Sequence, residues 1–506
     1  MVTQNDADAK RLAELGYKQE FDRKWSGFSN FAISFSIISI LSGCFTTFGQ
    51  AWNNGGPVAI SLGWPVIAAF IMIIGLTMSE LVSAMPTAGG IYYWAFALGK
   101  PIHAWITGWL NLVGLVAVTA GVDYGFALFF TTTANLYSKS FDPSNLKQIF
   151  VIFIITVIIH ILMNVFGAKI IHLLQNINVY WHVFGVAAIV LILAFIPTKH
   201  QSVKWVFTHH INNSGFGNSS GTYWFYVLPL GFLLTQYTIT GFDASAHLSE
   251  ETGGAAKTAA QGLWKSIAYS AVAGWILLLS FLFAATHEAE ITKAGGFSPV
   301  IFLTAVSLSW AKIILIITCV GQFFCGMSCV TAGSRMLFAF SRDRAVPGHQ
   351  YWTKLDKNRN PSHAATGLGV AAIVLTLPAL WAPKGTTVPI AFYAVTSVTV
   401  IGLFVAFAIP IYLRWKAGDS FKQGEWNLGK KWKWMAPAAV IEIIVISIYF
   451  CMPTVPAGNP FDKTFSWTAV QYAPIAMLFI VGGALIWWFA SARKWFTGPV
   501  RTVEKV

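Results

Sequence analysis

Of the ionisable side chains inside apolar runs three are the most informative: Asp123 in Ala120-Gly-Val-Asp-Tyr124, His182 in the run 173–196, and Asp243 just after Thr240-Gly241. A charge at the middle of a bilayer costs at least about 2.5 kcal/mol, so each such residue needs a partner or a task. A carboxylate at Asp123 suits the amine of a bound solute, and equally a structural hydrogen bond to the first or tenth apolar run. An imidazole at His182, with an ordinary pKa of about 6.5, either loads and releases a proton in the physiological range or sits neutral and hydrogen-bonded. Asp243 precedes a short half-helix, Ala244 to Ser249, where a carboxylate can cap free N–H groups and still take a proton. Two runs are broken by small residues and turn formers in mid-span, at Ser39-Ile-Leu-Ser-Gly-Cys-Phe-Thr-Thr47 and at Tyr237-Thr-Ile-Thr-Gly-Phe-Asp243. Unwound backbone at such places exposes N–H and C=O groups to a charged solute, whereas a single glycine more often serves close helix packing.

The elements that hold these residues follow from composition. With 56% hydrophobic and 10% charged residues, the chain lies far from the roughly 25% charge of soluble domains. Apolar runs long enough to cross a bilayer as helices recur near 28–50, 58–84, 102–135, 148–166, 173–196, 222–249, 262–285, 311–341, 362–382, 387–414, 434–453 and 468–490. Twelve spans are therefore expected in an all-α polytopic membrane protein, since the runs lack the alternation of a β-barrel. Counted in spans, the two breaks fall in the first and the sixth.

The first 27 residues are polar and carry five Lys or Arg without an apolar segment and cleavage site behind them, so no cleaved signal is expected. With an even number of spans and both termini taken as cytoplasmic, most of the 33 Lys and Arg residues fall on the cytoplasmic side, and the expected location is the plasma membrane or bacterial inner membrane. The net charge of +13 is then mainly this asymmetry, with attraction to anionic lipid, and argues for no nucleic-acid partner. Cys44, Cys319, Cys325, Cys329 and Cys451 form no paired extracellular pattern. Cys325 and Cys329 share a helix face as small packers, without the neighbouring ligands that a metal would need. Asn212 and Asn218 stand in Asn-x-Ser sequences and read as polar loop residues. The expected organisation is a tail at 1–27, a transport core at 28–414, a loop and two further spans at 415–490, and a tail at 491–506.

Several stretches together resemble the amino acid/polyamine/organocation permeases, within the branch that includes γ-aminobutyrate permeases. They are Leu15-Gly-Tyr-Lys-Gln-Glu-Phe21, Phe31-Ala-Ile-Ser-Phe-Ser36, Ser79-Glu-Leu-Val-Ser-Ala-Met-Pro-Thr-Ala-Gly-Gly-Ile-Tyr-Tyr-Trp94, Gly241-Phe-Asp-Ala-Ser-Ala-His-Leu-Ser-Glu-Glu-Thr252 and Ser334-Arg-Met-Leu-Phe-Ala-Phe-Ser-Arg-Asp-Arg-Ala-Val-Pro347. The resemblance implies a LeuT-type core of two inverted five-helix repeats with helices 1 and 6 broken, and two extra C-terminal helices. It implies that amides at Ser42-Gly43-Cys44 hold a substrate carboxylate, that Tyr237 is an aromatic gate, and that Thr240, Gly241 and Asp243 surround the second break. Leu41 stands where many relatives carry glycine, which would reshape the pocket. Proton-coupled relatives place a lysine near His182, about four turns beyond Gly167-Ala-Lys169.

The function so implied is secondary transport of an amino acid or related amine, without a cofactor. Protons are the expected coupling ion, with sodium, for which Ser328 and Thr331 offer oxygens, as the alternative. Glu80 and Arg335, near the cytoplasmic ends of spans 2 and 8, are expected partners in an intracellular gate, with His247 and Glu250 as gates or caps. Glu442, outside the presumed core, is given no transport role. A polyamine or choline carrier, or an exchanger, remains open within transport. A membrane enzyme is disfavoured because no His-Glu-x-x-His, Gly-x-Ser-x-Gly or Walker loop is present, and a nutrient-sensing receptor because the tails are short. Oligomeric state is left open.

Overall fold

In lipid every backbone polar group must be paired within the chain, which leaves uncharged runs of Leu, Ile, Val and Ala little choice but helix. The computed structural model describes residues 4–166, 168–381, 390–500 and 502. Gly167, the side chain of Lys169, the start of the tenth predicted span at 387–389 and most of the tail beyond Val500 lie outside the described residues.

The first span is α1a (Gly27–Ile38) and α1b (Ile40–Thr46), followed by α2 (Gly63–Ala84), α3 (Pro101–Asn135), α4 (Leu146–Phe166) and α5 (Ala168–Phe195). The sixth span is a series of short turns ending in α6a (Leu233–Thr238) and α6b (Ala244–His247). Then come α7 (Ala255–Ala284), α8 (Leu308–Arg342), α9 (Ser362–Thr376), α10 (Ile390–Ala417), α11 (Trp432–Cys451) and α12 (Ala473–Ala490). Among the described residues 11 spans are long and apolar enough to cross a bilayer. The one expected span not among these, the sixth at 222–249, is present but divided, so no continuous helix in it reaches that length.

Burial sorts the spans into a centre and a rim. The most apolar windows of the first span, α3 and α10 are 89%, 83% and 83% buried, against 39% for α4 and α11 and 22% for α12. The rim helices therefore meet lipid with exposed Ile, Leu and Phe, such as Ile441, Ile444 and Phe479. Small residues let the central helices approach closely. A Cβ on Gly114 of α3 would lie 2.6 Å from Leu403 of α10, and one on Gly108 would lie 2.4 Å from Phe340 of α8.

The expected tails are more structured than loose ends. Residues Gln4–Glu14 form a helix, and Tyr17, Phe21 and Trp25 are buried against the body, because aromatic residues spaced four apart give this segment one apolar face. The C-terminal segment returns to the same place: Thr502 N donates to Gly16 O at 2.8 Å, and Val500 N donates to Asp343 Oδ1 at 2.9 Å. On the opposite face, strands β1 (Asn54–Gly55) and β2 (Ile211–Asn212) pair antiparallel, which ties the loop 197–221 to the end of the first span.

Candidate functional site

The break in the first span falls at Ser39, whose φ of 15° and ψ of 87° end α1a and begin α1b. Sequence reading centred it on Ser42-Gly43-Cys44. Those three residues are helical instead, and the amides of Ser42 and Gly43 donate to Ser39 O at 2.8 and 3.0 Å. The small residues are there for packing: a Cβ on Gly43 would stand 2.7 Å from Thr238 Cα of α6a. Ser42 keeps a buried hydroxyl without a partner, and Cys44 is fully buried.

The second break lies where the sequence placed it. Gly241 has φ +92°, a left-handed conformation that suits glycine, and a Cβ there would meet Ile37 Cγ2 at 2.0 Å. Each break is thus closed against the other, Gly241 on α1a and Gly43 on α6a. Thr240 Oγ1 donates to Gln236 O, so its hydroxyl is already engaged.

Asp243 opens α6b but does not cap it. Its backbone is in the α region rather than the extended conformation of a capping residue, so the carboxylate cannot reach back over the first turn. Ser34 of α1a caps instead: Ser245 N donates to Ser34 Oγ at 2.9 Å, and Ser34 Oγ donates to Phe242 O at 2.8 Å. The Asp243 carboxylate accepts from Asn111 Nδ2 of α3 at 3.3 Å and faces His247 Nε2 at 3.2 Å, while His247 Nδ1 faces Ala88 O at 3.2 Å.

His182 of α5 reaches the first break directly. Its Nε2 stands 2.8 Å from Ser39 Oγ, and its Nδ1 faces Asn178 O at 3.0 Å. A ring nitrogen beside a carbonyl carries its hydrogen, so Nδ1 donates and Nε2 is left to accept from Ser39 when the ring is neutral or to donate when it is charged.

Asp123 is paired within the protein, by a helix that neither sequence reading named. His160 Nδ1 of α4 lies 3.2 Å from Asp123 Oδ2 and 3.1 Å from Oδ1, with both side chains wholly buried. Gly326 of α8 closes over the pair, since a Cβ there would be 1.8 Å from Asp123 Oδ1. The carboxylate therefore has a partner within the protein, as the structural alternative expects, although that partner comes from α4 rather than from the first or tenth span.

Beside the two broken spans and α3 lie buried polar atoms without hydrogen-bond partners in the protein, among them Ser42 Oγ, Asp123 Oδ1, Tyr237 Oη and both amide atoms of Gln322. Tyr237 Oη would lie 2.7 Å from a Cβ on Gly121, and Gln322 Oε1 would lie 3.9 Å from one on Gly125, a turn further along the same face of α3. Buried polar atoms are rarely left unpaired, so a group of them beside the two broken helices is where a polar ligand is best accommodated. Leu41 does not enter this space: Cβ atoms built on Gly321 and Gly185 would meet it at 2.7 and 3.6 Å, so it fills the seam between α8 and α5. The oxygens offered for sodium are bonded to side-chain amides, Ser328 to Gln175 at 2.7 Å and Thr331 to Asn164 at 2.8 Å.

The two faces differ in access. Away from the termini, Trp52 Nε1 donates to Thr292 Oγ1 at 3.0 Å, Ser298 Oγ donates to Phe45 O at 2.9 Å, and the Phe45 and Phe281 rings pack at 4.8 Å. On the side of the termini a cavity of about 260 Å³ is lined by Trp25, Asn164, Ile171, Glu251 and Arg335. Arg335 forks onto Glu251 at 2.9 and 3.2 Å, and Arg342 onto Glu250 at 3.1 and 3.2 Å. Glu80 takes a different arginine, Arg414 of α10, at 2.9 Å, because the end of α2 packs on α10 and α11 rather than on α8. Glu80 and Arg335 are thus buried ion pairs at one face, each with its own partner.

The sequence reading missed His160 and Gln322 and named Ser39 only as the first residue of the interrupted stretch. All three are polar residues within apolar spans, and treating every such residue as needing a partner would have raised them.

The amino acid permease family model matches residues 26–491. The chain is 36% identical to "Amino-acid permease BAT1" of Arabidopsis thaliana, covering 98% of this chain and 97% of that protein. It is 36% identical to the rice "Amino-acid permease BAT1 homolog", covering 99% and 96%. It is 29% identical to the "GABA-specific permease" of Saccharomyces cerevisiae, covering 98% and 86%. The protein is a multi-pass membrane transporter of amino acids, not an enzyme, and belongs to the amino acid permease family.

Proposed function

We propose that this permease imports a small amino acid of the γ-aminobutyrate type across the plasma membrane, with both termini in the cytoplasm, in symport with protons. The observation that carries the coupling is the 2.8 Å contact between His182 Nε2 and Ser39 Oγ at the break of the first span. A neutral ring accepts the serine proton, while a protonated ring donates and turns the serine hydroxyl towards another acceptor. Proton binding at His182 thereby changes what the break presents to a carboxylate. Ser42 Oγ is the nearest free donor on α1b for that carboxylate, and Tyr237 and the Gln322 carbonyl face the amine, the tyrosine contributing its π face as well. Asp243 remains a second proton-binding group, held by Asn111 and His247.

The test is uptake by purified protein in liposomes against labelled amino acids and amines, with proton and sodium gradients imposed separately. Accumulation of γ-aminobutyrate driven by an inward proton gradient supports the proposal. Exchange without accumulation under either gradient makes the protein an exchanger, and preference for a polyamine or choline moves the substrate to amines without a carboxylate.

A further inference from the structure

Helix α11 lies at the rim, yet three hydrogen bonds tie it to the first half of the sixth span. Tyr226 Oη donates to Pro453 O at 2.8 Å, just past the end of α11. Tyr449 Oη of α11 donates to Phe225 O at 2.7 Å. At the other end, Gln236 Nε2 donates to Glu442 Oε1. The bonded residues run 225 to 236 on one segment and 453 to 442 on the other, so the rungs join two antiparallel segments over about 16 Å at 1.5 Å per residue.

Glu442 is the member that demands a reason. It is 9% exposed, its Oε2 has no partner, and Gln236 Oε1 beside it has none either. An apolar side chain would glue α11 to its neighbour at less cost than a buried carboxylate, and tyrosine bonds already hold the far end. A hydrogen bond to a carboxylate adds direction, since it fixes which way the Gln236 side chain points and hence how α6a is rotated about its axis. Gln236 immediately precedes Tyr237, and its carbonyl accepts Thr240 Oγ1, one residue before the Gly241 hinge. A change at Glu442 therefore reaches both the aromatic face and the hinge within about one helical turn.

We propose that Glu442 is a positioning residue for transport, setting the rotation of α6a so that Tyr237 faces α3, and that α11 moves with α6a as one body. This rests on the reading of Tyr237 as a substrate contact. The probe is therefore the amino acid that the wild-type protein accumulates best from the panel, and a wild type that accumulates none of them fails the functional proposal before this one is tested.

Three variants decide it by the KM of uptake. Gln236→Glu removes the amide donor and sets two acidic side chains against each other, and is expected to raise KM about tenfold, the worth of one lost hydrogen bond. Glu442→Gln keeps the acceptor and is expected to stay within about twofold of wild type. Gln236→Glu combined with Glu442→Gln exchanges donor and acceptor and is expected to restore KM to within about threefold. An unchanged KM in Gln236→Glu, an impaired Glu442→Gln, or a double variant as impaired as Gln236→Glu alone would overturn the proposal. A second measurement covers variants that fail to reach the membrane. Phe225→Cys with Tyr449→Cys, in a Cys451→Ser background, is oxidised to a crosslink. Uptake retained in the crosslinked protein fits one moving body, and uptake abolished by the crosslink but regained on reduction contradicts it.

Discussion

His160 holds Asp123: the imidazole Nδ1 lies 3.1 Å and 3.2 Å from the two carboxylate oxygens, and neither side chain meets solvent. The pair joins α3 to α4 beneath Gly326 of α8. Removing one member of a buried pair typically costs about 3–5 kcal/mol, while apolar replacement of both is often neutral. His160→Ala and Asp123→Ala are each expected to lower the unfolding temperature in detergent markedly. Asp123→Leu with His160→Leu should recover most of it. Additive losses in the double variant would mean that the two do not act as a pair.

Tyr237 tests the ligand-facing cluster. Its hydroxyl is buried and bonds to no protein group, so Tyr237→Phe should leave thermal stability within about 0.5 kcal/mol of wild type. The KM for the best substrate should nevertheless rise about three- to tenfold, the worth of one hydrogen bond. A large fall in stability would instead place the hydroxyl in a structural role.

Gly241 tests the second break. Its φ of +92° and the 2.0 Å approach of Ile37 Cγ2 leave no room for a methyl group. Gly241→Ala is expected to reduce uptake by more than about tenfold, through strain of about 1–3 kcal/mol together with the clash. Gly482→Ala is the control, because nothing lies within 4 Å of a Cβ there. Equal effects of the two variants on uptake would remove the hinge argument.

Asp343 binds the tails to the body. Its carboxylate accepts from Tyr17 Oη at 2.9 Å, from Tyr92 Oη and from Val500 N at 2.9 Å, and burial pushes its pKa up to about 6. A carboxyl whose pKa is higher when docked than when exposed holds its proton more tightly docked, so docking weakens as pH rises from about 4 to about 6 and is level above that. Limited proteolysis of the N-terminal segment should be slower at pH 5 than at pH 7.5, relative to a pH-insensitive reference substrate, and Asp343→Asn should flatten the difference. Faster cleavage at the lower pH would reverse the sign.

Helix count and the two breaks were legible because apolar length and clustered small residues act locally. Gly241 needs a left-handed backbone wherever it sits, so sequence located that break closely. The first break was placed about three residues late because Ser42-Gly43 looks like a hinge but serves contact with Thr238, a neighbour almost two hundred residues away. His182 was found by its type, but its contact with Ser39 was not, since the two lie on separate spans that only the packing brings together. The partners of Asp123, Glu80 and Arg335 were not legible, since each comes from a distant span and the packing of α4, α10 and the turn after α6b selects it. Glu442 was set aside for lying outside the core, although its bond to Gln236 reaches the sixth span from the rim.

The account turns on whether His182 couples proton movement to amino-acid uptake. The most direct measurement is accumulation of labelled γ-aminobutyrate in liposomes under an imposed proton gradient, comparing wild type with His182→Ala and His182→Gln across pH 5 to 8. Gradient-driven accumulation is expected in the wild type and is expected to be lost in both variants while counterflow exchange persists. Full pH-dependent accumulation by His182→Ala would contradict it.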